Sequence, residues 1–103
     1  MRIVRDGVDG LVRMAFHGEL DLATVDQVAA QVSAELAAPG LLRLVLDLAG
    51  LTFCDSTGID ALINAQIAAR DRGVIFQVVR PRGIVRRTLV ATGVLELLTT
   101  ATG

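Results

Sequence analysis

The sequence predicts an α/β fold: a mixed, mostly parallel sheet of four to five strands with helices packed against it. Three observations carry that prediction. Two short apolar runs, residues 41–48 and 74–79, have the length and continuity of strands buried on both faces. Between and after them, apolar residues recur at helical spacing. The resulting order, strand-strand-helix-strand-helix-strand-helix, is that of an α/β protein. At 103 residues the chain has the size of one domain, read here as residues 1–103.

The elements follow in order. Residues 2–5 read as a short strand and residues 6–10, Asp-Gly-Val-Asp-Gly, as a turn. Residues 11–17 alternate apolar and polar positions, as a half-buried strand does. Thr24 with Gln27 three residues on fits a capping box, and Val25, Val28, Ala29, Val32 and Leu36 then follow a helical period. Pro39-Gly40 stops that helix. Ile59, Leu62, Ile63 and Ile67 give a second helix, closed by Gly73. Pro81 suits the start of a third, with Ile84, Val85 and Leu89 inward and Gly93 as its stop. Residues 94–98 are apolar without a clear period.

Composition excludes several function classes. Hydrophobic residues make up 52%, too many for a disordered chain, while aromatics are only 3%, so the core is aliphatic. The single Cys excludes an intramolecular disulfide framework and any Cys-rich metal site. The net charge of −1, without a charged tail, argues against nucleic acid as partner. Mean hydropathy is +0.58, yet no run reaches the ~18–20 uncharged apolar residues of a spanning helix. Arg2, Arg5 and Asp6 stand where a signal peptide has its apolar centre. The expected location is therefore the cytoplasm, without membrane insertion. All ten basic residues are Arg, which removes chemistry that needs a lysine amine.

Two acidic turns fall where α/β sheets gather their sites, at strand ends and the helix starts beside them. They are Gly18-Glu19-Leu20-Asp21 and Cys54-Asp55-Ser56-Thr57-Gly58. Asp55 and Ser56 are ordinary helix-capping residues, which is one reading of the second turn. The other is chemical: a phosphate on Ser56 would face the free N–H groups and positive dipole end of the second helix. Asp21, Asp55 and Asp60 could offer oxygens to a magnesium ion, but solvated acids at helix starts are the simpler reading and no metal site is assigned. His17 and Cys54 lack an orienting third group, so no catalytic residues are assigned. Arg80, Arg82, Arg86 and Arg87 read as a solvated helix face or as an anchor for acidic groups of a partner.

In order along the chain come Gly18-Glu19-Leu20-Asp21, Leu44-Val45-Leu46-Asp47-Leu48, Phe53-Cys54-Asp55-Ser56-Thr57-Gly58, the strand 73–79 and Thr92-Gly93-Val94-Leu95. This ordered set resembles the anti-sigma factor antagonist branch of the STAS domain family. The resemblance implies a regulatory binding module with no enzymatic activity and no cofactor. It implies phosphorylation at Ser56 by an anti-sigma factor with a histidine-kinase-like ATPase fold, and reversal by a PP2C-type phosphatase. The unphosphorylated form would bind the anti-sigma factor and free a sigma factor. Asp21, Asp55, Ser56, Thr57 and Gly58 match the family's partner-binding positions. Cys54 stands where the family more often has Met or Ile, and Asp60 where it often has a small residue. Gly103 comes about one helix earlier than the end of many relatives. A STAS module serving a lipid-transport complex, a stressosome-like scaffold or a small-ligand sensor is the alternative.

Overall fold

The structure, a computed structural model, describes residues 1–99. β1 (Arg2–Val8) and β2 (Leu11–Leu20) form a hairpin across Asp9 and Gly10. Both turn residues have positive φ, 45° and 84°, which Asp-Gly supplies for a two-residue turn that matches strand twist. β1 thus runs to Val8, through residues that their Asp and Gly content marks as turn. β2 pairs in parallel with β3 (Arg43–Cys54), and β3 in parallel with β4 (Ile75–Val79). The sheet is four-stranded and mixed, in the order β1-β2-β3-β4.

Alternation along the strands sends Met14, Phe16, Leu44, Leu46, Phe76 and Val78 to one face. The helices bury their apolar stripes in the same cluster. α1 (Val25–Ala37) supplies Val28, Val32 and Leu36, and α2 (Ser56–Asp71) supplies Ile59, Leu62 and Ala69. α3 (Gly83–Ala91) adds Val85 and Leu89, and α4 (Val94–Thr99), the apolar run without a clear period, adds Leu98. Gln66 of α2 is buried and donates from Nε2 to the Leu97 carbonyl of α4 at 2.9 Å.

The structure corrects several sequence expectations. β3 is buried on both faces from Leu44 to Leu48, as expected, but β4 is an edge strand and its Ile75 is exposed. Ile67 and Ile84 are exposed too. Each helix meets the core along one stripe, and Ile84 lies about 100° around α3 from Val85. Thr24 and Gln27 do not form a capping box. The Thr24 hydroxyl donates to the Glu19 carbonyl at 2.9 Å and accepts from the Asp21 N–H, while the Gln27 amide donates to the Met1 carbonyl.

On the face of the sheet away from the core cluster, Asp47 is only 3% exposed. Arg80 grips it with two hydrogen bonds, Nε to Oδ1 at 3.2 Å and a terminal nitrogen to Oδ2 at 2.6 Å. Arg13 donates to Oδ2 at 2.7 Å, and the Ala49 N–H to Oδ1 at 3.0 Å. Burial pushes this carboxyl up, but Arg80, the Ala49 N–H and Arg13 together outweigh it and hold the carboxyl well below the usual carboxylate range. A second pair, Arg5 with the mostly buried Glu35, ties β1 to α1. Arg80, just past β4, is therefore tied to the sheet through Asp47 and is not part of a helix face; like Arg82, Arg86 and Arg87 it is exposed.

Candidate functional site

The last paired residues of β2 and β3 are Leu20 and Cys54. Parallel pairing therefore brings the residues that follow them, Asp21 and Asp55, to the same end of the sheet. The Asp55 N–H donates to the Leu20 carbonyl at 3.2 Å and locks the two chain ends together. Asp21 shapes the β2–α1 turn: its carbonyl accepts from the Thr24 and Val25 N–H groups, and its Oδ1 accepts from the Ala23 N–H.

Asp55 is the N-cap of α2. Its Oδ1 accepts from the Thr57 hydroxyl at 2.6 Å and from the Gly58 N–H at 2.9 Å. These bonds, with weaker help from the Thr57 and Leu22 N–H groups, outweigh desolvation and hold the carboxyl below its ordinary value. Asp55 therefore stays ionised next to the helix start. Ser56 is the first residue of α2 and is exposed. Among the described residues, none hydrogen-bonds its hydroxyl. Capping falls to Asp55, and Ser56 is left over.

Gly58 is buried against the neighbouring strands. A Cβ there would stand 2.6 Å from the Leu20 carbonyl oxygen and 2.9 Å from the Cys54 sulfur. Its place in the site is to let the α2 turn sit down on β2 and β3. The Cys54 thiol is buried, and burial, then the Asp55 charge, pushes its pKa up to about 11. His17 packs over Gly50 instead, where a Cβ would stand 2.4 Å from its Nδ1.

Asp60 is exposed one turn into α2. With Asp26 and Thr57 it lines a groove of about 370 Å³ between α1 and α2. Among the described residues, Asp21, Asp55 and Asp60 do not converge into a group of three that could hold a metal ion. The structure thus brings Asp21, Asp55, Ser56 and Thr57 together at one surface, with Gly58 beneath it. Sequence reasoning missed Leu22, which stands 75% exposed directly after Asp21. The available signal was a large apolar residue directly after the acid of a turn, Asp21-Leu22.

Among the described residues, no helix is long and apolar enough to cross a membrane. Among curated proteins, none matches the sequence. Solved structures do. An anti-sigma factor antagonist from Mycobacterium paratuberculosis superposes with a TM-score of 0.80 at 26% identity, over 96% of this chain and 82% of that one. The Bacillus cell fate determinant SpoIIAA, in its phosphorylated form, gives 0.69 at 18% identity, over 96% of this chain and 89% of that one. A sulfate transporter family protein from Wolinella succinogenes gives 0.74 at 19% identity, over 86% and 71%. The STAS domain model matches residues 2–102, and with that span and the fold described above the chain belongs to the STAS domain family.

Proposed function

We propose that this protein is an anti-sigma factor antagonist whose binding to an anti-sigma factor is switched off by phosphorylation of Ser56. One observation carries the reading: Ser56 is exposed at the first position of α2 with its hydroxyl unengaged, while Asp55 and Thr57 on either side hold each other. SpoIIAA, an anti-sigma factor antagonist of the same fold, exists in unphosphorylated and phosphorylated forms. A phosphate adds about −1.5 to −2 charges. The α2 N-terminus stabilises that charge, so the modified serine stays in place. Asp21, Asp55 and Asp60 lie around it, so the partner would meet a crowded anionic surface where it met an uncharged hydroxyl. Leu22, directly after Asp21, gives the partner an apolar contact.

The kinase is then the anti-sigma factor itself, with a histidine-kinase-like ATPase fold, and a PP2C-type phosphatase restores the hydroxyl. The antagonist contributes no catalytic group of its own. The test is calorimetric titration of such an ATP-loaded partner with wild type, Ser56→Ala and Ser56→Asp. Ser56→Ala retains affinity and Ser56→Asp loses it, with melting temperatures nearly unchanged. Equal affinities for all three folded proteins overturn the switch. The likeness to a sulfate transporter family protein then favours the second reading, a STAS module that docks constitutively within another complex.

A further inference from the structure

The register of the four strands fixes which side chains share the face away from the core cluster. Val8, Leu11, Arg43 and Ile75 form one row across the sheet, and Asp6, Arg13, Val45 and Gln77 the next. Val4, Ala15, Asp47 and Val79 form the third. Helices bury their stripes on the other side, so the aliphatics around the buried Val45 stay open: Leu11 is 37% and Ile75 39% exposed.

The charge on this face is mixed, with a positive excess. Arg2, Arg13, Arg43 and Arg80, the last through its bonds to Asp47, stand against Asp6, Glu19 and Asp47, a surplus of one positive charge on a chain whose net charge is −1. Asp47 consumes none of the exposed surface. It is buried and serves as a fixed footing that orients two guanidinium groups, Arg13 and Arg80, whose side chains are still 45% and 62% exposed. Oriented guanidinium groups lose less entropy on meeting a carboxylate than free ones do. Arg43 donates one longer, exposed hydrogen bond to the Gln77 side chain at 3.4 Å.

We propose that this open sheet face is a second docking surface, and that it takes an acidic protein segment with aliphatic residues between its carboxylates. Charge complementarity selects the occupant. A second copy docked face to face would oppose arginines to arginines. A membrane surface is served by denser basic clusters, of roughly four to eight residues without interspersed acids. The face lies across the sheet from the helices, so the domain would bridge two proteins, one at Ser56 and one here. The proposal does not rest on the Ser56 reading.

The test is NMR titration of the full chain with two synthetic peptides, one alternating Val and Glu, one alternating Val and Lys, and with phosphatidylglycerol vesicles. The Val-Glu peptide shifts the amides of Leu11, Arg13, Arg43 and Ile75 and leaves those of residues 55–58 in place. Its affinity falls at least about tenfold in Arg43→Glu and again at high salt. Ile75→Glu weakens it as well. Neither variant touches Asp47, and both keep the wild-type spectrum elsewhere. Absence of shifts, shifts centred on residues 55–58, equal binding of the Val-Lys peptide, or binding of vesicles alone overturns the proposal.

Discussion

The Thr57 hydroxyl donates to Asp55 Oδ1 at 2.6 Å, across the serine that lies between them in sequence. The two neighbours satisfy each other and the first turn of α2, so the helix start does not depend on Ser56. Asp55→Ala removes the side-chain acceptor for the Thr57 hydroxyl and the Gly58 N–H together. The expected outcome is a fall in Tm of roughly 4–8 °C, against almost none for Ser56→Ala. Thermal melts followed by circular dichroism check it.

Gly58→Ala places a methyl group 2.6 Å from the Leu20 carbonyl oxygen, a backbone atom held in the sheet. Something must shift, and the cost is about 1–3 kcal/mol. Urea denaturation should show the loss in its midpoint. The displaced α2 turn should also carry Ser56 out of register, so the variant is a poorer kinase substrate even at temperatures where it is folded.

Acid should destabilise the protein through Asp47 and Asp55. Both carboxyls lie below their ordinary values when folded, so the unfolded chain binds protons first as pH falls. Their contribution is complete above the unfolded value of about 4 and is lost as pH drops through the folded values. Asp47→Asn should lower stability at neutral pH by about 2 kcal/mol, the scale of hydrogen bonds to a charged group. It should also flatten the acid limb. Urea midpoints measured from neutral pH downward, for wild type and variant, decide this.

Cys54 should be unreactive in the folded state. Its pKa of about 11 leaves almost no thiolate at neutral pH, and the sulfur is buried. Labelling with a thiol-specific disulfide reagent should be slow in buffer and fast in denaturing urea. Rapid labelling of native protein would contradict the packing of Cys54 under Gly58.

The order of elements was legible in the sequence because period and punctuation agree there: the Asp9-Gly10 turn, the Pro39-Gly40 stop and the Gly73 stop all fall at element ends. The Ser56 turn was legible too, since Asp and Ser at a helix start mark it locally. What could not be read is which face of each strand is covered. Ile75 and Phe76 are both large and apolar, and only the placement of α1 and α2 on one side separates them. Asp47 stood out as the acid in an apolar run, but its partners lie 34 residues before and 33 after it. Nothing local links such distant positions. Glu35 was hidden in the same way, its partner Arg5 being 30 residues upstream.

The bond from Gln66 to the Leu97 carbonyl sets how the carboxyl-terminal end opens. α4 is six residues long, far below the roughly 12–15 that an isolated helix needs to persist in water. It exists as a docked element, and undocking it strips a buried amide of its acceptor, at about 1–3 kcal/mol. α4 is thus the first segment to exchange its amide protons with solvent, yet its release exposes Gln66 in the middle of α2. Release of α4 should therefore be felt in the helix whose other end carries Ser56.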